Sequence, residues 1–416
     1  MRGDPIPPPA RDPSLRSTRG LDWFVFFLAD VQTGFGPFIS VYLTTQKWTQ
    51  VDIGLILSVG GLVALLGQIP GGAIIDSARS ERLVAAVAVT MIGAAALAYA
   101  AWPIFPVILA AAVTQAAASC VLGPAIAAIS LGLVGPGAMG LRLGRNARFA
   151  AVGNGVAAAG MGLCGYLFSS GSVFLVTLLL TIPTLLSLAY IRGEEINPDR
   201  AHGADQPQSP PRPQTKLITL LQNRALLEFA LVVGLFQLAN AAMLPLLGSF
   251  VTTQLSAGAP ALIAASMVLP QIVVALMSPW VGRRAQAWGR RPLLMIGLGA
   301  LTLRALLFAV VHDPYLLVAC QVLDGIAAAV FGVLVPLVIV DITYGSGHFN
   351  FAQGAIGTAT GLGASTSLLL SGYLGDHFGR GAAFLALASV AAIGLAFCMF
   401  VMPETRTRTA ATRSRQ

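Results

Sequence analysis

Residues Leu316–Val340 read LLVACQVLDGIAAAVFGVLVPLVIV, apolar enough to sit in a membrane yet carrying Asp324 about eight residues in. A carboxylate at bilayer depth costs roughly 2.5–3.5 kcal/mol on insertion scales, so it is expected to face a watery cavity or a partner. Subtracting 209 from each number gives a weaker twin, Val107–Leu131, VILAAAVTQAAASCVLGPAIAAISL, in which Gln115 stands for Asp324 and Gly123 for Gly332. Two copies of one membrane span, each with a polar residue at the same depth, point to a duplicated transporter.

Composition bounds the class. The 416 residues are 56% hydrophobic and 10% charged, against about 25% charged in soluble domains. Mean hydropathy is +0.78. No soluble core of this size buries so much apolar sequence, so the chain reads as an all-α polytopic membrane protein. Its 45 glycines and scarce aromatics suit closely packed helices, not a lipid-facing β-barrel. The net charge of +8 is explained by membrane topology, so nucleic acid is not an expected partner. Cys120, Cys164, Cys320 and Cys398 all fall in apolar stretches with no CxxC, which argues against a disulfide framework or a zinc site. His312, His348 and His377 lack metal-ligand spacing, and HExxH, P-loop and GxSxG motifs are absent. No metal, cofactor, enzymatic activity or ATP-driven step is therefore expected. The first 20 residues are rich in Pro and Arg and lack an apolar core, so they read as a disordered tail and not a signal peptide.

A span needs about 20 mostly apolar residues, and twelve candidates are found. They fall at 21–44, 53–75, 83–101, 104–133, 149–168 and 173–191, then at 225–250, 260–281, 292–311, 315–340, 351–375 and 382–402. With the N-terminus inside, 22 of the 25 Lys and Arg residues fall on the cytosolic side; Lys47 and Arg380 fall outside and Arg304 within a span. The positive-inside rule thus places both termini in the cytoplasm. Residues 192–223 are polar and Pro-rich, too hydrophilic to pack, and read as a cytosolic linker. The expected organisation is a disordered cytosolic N-tail (1–20), a six-helix bundle (21–191), the linker (192–223), a second six-helix bundle (224–402) and a cytosolic C-tail (403–416). The bundles echo each other at offsets of 207 to 210: Pro37 with Pro245, Gln32 with Asn240, Pro70 with Pro279, Gly72 with Gly282, Gly165-Tyr166-Leu167 with Gly372-Tyr373-Leu374, and Glu194 with Glu404. Parallel repeats of this kind place a substrate site near the midplane between the halves.

The loop after the second span holds Gly72, Asp76, Arg79 and Arg82; the loop after the eighth holds Gly282, Gln286, Gly289, Arg290 and Arg291. Together they resemble the GxxxDRxGRR signature of the major facilitator superfamily, once per half and on the cytosolic side. The first copy has Ser77 for the first Arg and Arg79 for the second Gly; the second has Gln286 for the Asp. The resemblance extends over nearly the whole chain and implies two bundles related by a pseudo-twofold axis. It also implies that these residues form a cytosolic gate, with Asp76 capping the eleventh span near Phe351; the alternative is that the loops serve only as basic anchors. Met402-Pro403-Glu404-Thr405 resembles the family's Pro-Glu-Thr ending. Glu194 is expected either to meet Arg142 or Arg145 or to remain solvated, and Glu404 either to meet Arg283 or Arg290 or to remain solvated. The RxxQG signature of proton-coupled drug exporters is only half present, as Ala112-Val-Thr-Gln115-Ala116 and as Gln321-Val-Leu-Asp324-Gly325, each without Arg, and the fifth span is Gly-rich but lacks the Gly-Pro motif.

In the implied fold, spans one, four, seven and ten line the cavity. Asp30 lies about 16 Å in at 1.5 Å per residue, on one face with Thr33 and Pro37. Gln32, Gln115, Gln237, Asn240 and Gln321 supply further polar groups, and Arg304 sits at similar depth. Burial disfavours a charged carboxylate, so Asp30 and Asp324 are the candidate proton carriers; the rival for Asp324 is a permanent structural pair with Arg304. Trp23, Phe27, Phe35 and Phe236 give the expected cavity an amphiphilic character. The expected activity is secondary active transport of a small organic solute by alternating access, proton-coupled and directed towards efflux from the cell across the inner (plasma) membrane. Proton-coupled uptake of a polar metabolite and a non-transporting sensor on the same fold are the alternatives. The expected partners are a small-molecule substrate, protons and the lipid bilayer, with the chain acting as a monomer.

Overall fold

The computed structural model describes residues 13–33, 36–168, 171–204, 222–254 and 259–405. Residues 1–12 and 406–416, most of the linker, Phe35, and the side chains of Thr33 and Pro37 lie outside the described residues. Eight helices are long and apolar enough to cross a bilayer, and the pair Val51–Leu66 and Gln68–Ser77, bent by 47°, makes a ninth crossing. Two of the eight hold two spans each. Phe105–Leu167 has 63 residues and breaks at Gly135, whose φ of 69° only glycine adopts readily. Asn146 donates to Ser130 Oγ across that break at 2.8 Å, so the chain has turned back on itself there. Phe349–Phe400 breaks in the same way at Gly379, φ 82°. Leu15–Thr33 and Gly36–Thr45 together form the first span. Twelve spans are thus traced among the described residues, as the hydropathy pattern predicts.

Spans are visibly jointed among the described residues: the second at Gly67, and the seventh between Arg224–Asn240 and Met243–Gln254. At the last of these joints the Ala242 N–H is satisfied by Ser367 Oγ of the eleventh span at 3.1 Å. A free N–H at membrane depth costs several kcal/mol, which is why a neighbouring hydroxyl is placed there.

Each half has its own apolar core. One runs through Leu21, Phe24, Ile92, Tyr99 and Phe174. The other runs through Phe229, Leu298, Phe308 and Phe384, and takes in Met139 and Leu143 from the first half where the bundles meet. Outside, apolar side chains face outward, Leu276 at 71% and Leu369 at 76% exposure, as lipid-facing helices require.

Two expectations are corrected. The expected disordered tail at 1–20 is ordered at its end: the helix Leu15–Thr33 begins inside it, and Ser14 donates to Glu195 of the linker at 2.9 Å. The linker is not uniformly solvated: Gly193–Glu195 and Pro198–Ala201 are helical, and Ile196 and Ala201 are buried against the end of the fourth span. Gly132 of that span makes room for both, so a short apolar pair inside a polar stretch suffices to dock it.

Candidate functional site

The two halves meet at the linker end along two seams, the second span against the eleventh and the fifth against the eighth. Both seams are built on glycines that let backbones touch. A Cβ at Gly72 would stand 2.1 Å from the Asn350 carbonyl oxygen, and one at Gly354 would stand 2.2 Å from that of Gln68. In the other seam, a Cβ at Gly282 would stand 2.3 Å from Gly140 O, and one at Gly144 would stand 2.6 Å from Ser278 O. Adding 210 to Gly72, Gly140, Gly144 and Gln68 gives Gly282, Asn350, Gly354 and Ser278. The duplicated sequence has become two equivalent contacts.

The seams differ in their polar fastening. Asp76 accepts from Phe351 N at 2.7 Å, from Asn350 N at 3.2 Å and from Asn350 Nδ2 at 2.9 Å. The Phe349–Phe400 helix has no side-chain cap of its own, so a carboxylate from the other half meets its exposed N–H groups and the positive end of its dipole. At the equivalent position Gln286 makes a single 3.3 Å contact with Gly137 O.

The remaining residues of the two motif copies act elsewhere. Glu404 accepts from Arg290 N at 2.8 Å and Arg291 N at 3.1 Å, beneath Gly289, where a Cβ would strike the carboxylate. The Arg290 side chain pairs with Asp341 at 2.7 Å, and Arg291 donates to Cys398 O and Met399 O. All these partners belong to the second half, so Gly289, Arg290 and Arg291 brace that half internally and do not bridge the gate. Arg79 is exposed with no ion pair among the described residues, and Arg82 lies beside Gly193 of the linker. Arg142 and Arg145 turn to Asp22 of the first span, 2.5 Å each, and not to Glu194. Nothing in the sequence pattern singles out Asp22 as the shared anion, because its partners are more than a hundred residues away.

The folded start of the linker joins this closure. Ala201 O accepts from Asn350 Nδ2 at 3.2 Å, His202 O from Phe349 N at 3.2 Å, and Gly203 O from Gly345 N at 2.7 Å. His202 Nε2 lies 3.2 Å from Glu81 Oε1, within ion-pair range though out of line for a good hydrogen bond. Glu81 holds the His202 imidazole above its ordinary value of 6.5; burial opposes this, and the charges of Asp76 and Asp199 add to it. A raised histidine stabilises the clip fully below that ordinary value and loses its contribution as pH rises through the raised one. Amide exchange at Gly345 and Phe349, corrected for intrinsic pH dependence, is therefore expected to be slowest in mild acid and to quicken towards alkaline pH. His202→Gln is expected to flatten the profile; a wild-type profile already flat would remove the histidine from the clip.

The mid-span polar residues do not form one cluster. Arg304 is 1% exposed and donates from Nη1 to Asp324 Oδ1 at 2.5 Å and to Asn240 Oδ1 at 2.8 Å, tying spans nine, ten and seven together. Asp324 keeps 23% of its side chain exposed. Gln32 Nε2 reaches Ser119 O of the fourth span at 3.2 Å. Gln321 is fully buried with both amide atoms unpartnered, and Gln115 and Gln237 are half-buried. Asp30 is 6% exposed, and its Oδ1 has no hydrogen-bond partner. The aromatic residues expected around a cavity are dispersed: Phe236 stacks on Phe331 at 3.7 Å in the second core, and Trp23 and Phe27 stack on each other at 5.8 Å. No group of three or more His, Cys, Asp or Glu able to hold a metal occurs among the described residues.

The MFS_1 like family model matches residues 19–386. The chain belongs to the major facilitator superfamily. Two uncharacterized MFS-type transporters of Mycobacterium tuberculosis, from strains CDC 1551 / Oshkosh and ATCC 25618 / H37Rv, are each 39% identical over 405 residues, 96% of both chains. The class B tetracycline resistance protein of Escherichia coli is 28% identical over 140 residues, 34% of each chain. Among solved structures, the Escherichia coli fucose:proton symporter superposes with a TM-score of 0.72 at 17% identity, covering 94% of this chain and 98% of its own. The human organic anion transporter MFSD10 gives 0.66 at 17% identity, covering 94% and 100%. These superpositions show the fold, and the superfamily makes the chain a multi-pass integral membrane protein of transporter type.

Proposed function

We propose that this superfamily member is a proton-coupled secondary transporter of a small organic solute, exporting it by alternating access. The halves 21–191 and 224–402 are the moving bodies, the linker end faces the cytoplasm, and one chain is the working unit in the inner membrane. The basic bias of that end supports the orientation. The observation that carries the coupling is Asp30. It is a nearly buried carboxyl in the first span, with one oxygen unpartnered and no ion pair among the described residues. A carboxylate so placed has nothing to hold its charge while the bundle is closed, and meets water when the bundle opens. Proton exchange is thereby tied to the rocking motion, and coupling requires proton and substrate to favour different states of that equilibrium. The likeness of part of the chain to a tetracycline resistance protein favours efflux.

Asp30→Asn is expected to abolish substrate-dependent proton movement in proteoliposomes while substrate exchange persists; a variant that still couples would remove Asp30 from the mechanism. Substrates are best found by comparing growth of deletion and overexpression strains across toxic compounds. A second reading, proton-coupled uptake of a polar metabolite, draws on the Arg304–Asn240–Asp324 group, whose partly exposed carboxylate suits a polar cargo. Sensitisation by overexpression would favour it. Absence of any transport would leave the non-transporting sensor.

A further inference from the structure

A cavity of about 630 Å³ opens at the linker end along the seam of the fifth and eighth spans, apart from the mid-span residues. Its apolar wall is aromatic. The Trp23 ring lies 5.4 Å from Phe26 and 6.2 Å from Phe149, both edge-on, and Trp23 is 50% exposed. Three guanidinium groups, Arg145, Arg148 and Arg283, also line it. Their charges are not equally available. Arg145 is paired with Asp22, at 2.9 Å from its Nε, a carboxylate it shares with Arg142. Arg148 and Arg283 are exposed, and neither has an ion pair or hydrogen bond among the described residues. One belongs to the fifth span and the other to the eighth, so these two guanidinium groups come from opposite halves.

We propose that this cavity binds the headgroup of an anionic phospholipid, with Arg148 and Arg283 holding its phosphate from the two halves. Half-exposed tryptophan is favoured at headgroup depth, where an apolar ring and a wet edge coexist. Guanidinium groups match phosphate oxygens in a fork geometry that lysine lacks. Basic pockets between membrane helices attract lipids of net negative charge, because a zwitterionic headgroup brings its own cation. Trp23, Phe26 and Phe149 then lie along the first carbons of the acyl chains. A lipid clasped from both sides steadies the seam in its closed state, so the anionic lipid content of the membrane sets how readily the linker end opens.

The test uses the full chain with Trp48, Trp102, Trp280 and Trp288 replaced by Phe, leaving Trp23 as sole fluorophore. It is placed in nanodiscs carrying brominated phosphatidylglycerol or brominated phosphatidylcholine at equal mole fraction. Quenching of Trp23 is expected to be at least about threefold stronger with the anionic lipid. Arg148→Gln with Arg283→Gln is expected to abolish the preference, and Lys at both positions to restore part of it. Thermal melting reports whether each variant is folded, and a chain retaining only Trp102, at the other end, gives the bulk-lipid reference. Equal quenching by both lipids, a preference that survives the double Gln substitution, or a preference equally strong at Trp102 would each overturn the proposal. Displacement of the lipid by millimolar inorganic phosphate would also overturn it, showing a site for a free anion.

Discussion

Replacing Gly72 by alanine is expected to hold the linker end open and to reduce transport by at least about tenfold. Steric necessity drives this. The new Cβ would lie 2.1 Å from Asn350 O and 3.1 Å from Phe351 Cα, so the second and eleventh spans must separate by about an ångström. Asp76 reaches Phe351 N at 2.7 Å across the same gap, and a hydrogen bond lengthened that far is lost. One methyl group thus removes both the packing and the helix cap. Gly61, on the same span, has nothing within 4 Å of its would-be Cβ, so Gly61→Ala adds a methyl without consequence. The readout is labelling of Ser278→Cys by a membrane-impermeant maleimide. Ser278 is wholly buried in the opposite seam, so its exposure in the Gly72→Ala background shows that the two seams open together. Protection as strong as in the Gly61→Ala control would mean that the seams are not the gate.

The sequence already carried that geometry in part. Twelve spans are legible because length and apolarity leave few alternatives for a chain in a bilayer. The offset between halves is legible because Gly72 and Gly282 stand at matched places near the ends of matched spans. Partners across the seams are not: Gly144 and Gly354 are two among 45 glycines, and composition cannot tell a contact glycine from the many that touch nothing. The docked start of the linker is hidden for a similar reason, since Ile196 and Ala201 are too few to register in a polar stretch. Ion pairing fails to show in sequence because it is a matter of depth and direction. Arg142 and Arg145 look like membrane anchors, but the helices carry them inward onto Asp22, and Arg290 finds Asp341 from 51 residues away. Arg304 and Asp324 are legible as a pair because both stand out against apolar spans; what the sequence leaves open is which of the two is the more deeply buried.

That inequality yields the second large effect. Removing one member of a buried ion pair costs about 3–5 kcal/mol, because the other is left uncompensated. Here the cost depends on which member remains. Arg304 is 1% exposed, and without Asp324 its guanidinium would keep only Asn240 Oδ1 and the Phe308 ring 5.2 Å away. Asp324 is 23% exposed, so without Arg304 its carboxylate can still hydrate or take up a proton. Asp324→Ala is therefore expected to lie near the top of that range, and Arg304→Ala near or below its lower end. Arg304→Met combined with Asp324→Leu is expected to recover most of the loss, since an apolar pair of similar volume is no less stable than the ions it replaces. Thermal unfolding of the four proteins in one detergent checks the order, and the reverse ranking of the single variants would contradict the burial asymmetry. Transport then separates structure from mechanism. If the double variant is stable and still couples protons to substrate, the pair is a brace between spans nine and ten. If it is stable but inert while Asp324→Asn alone loses proton movement, the exposed oxygen of Asp324 takes part in coupling alongside Asp30.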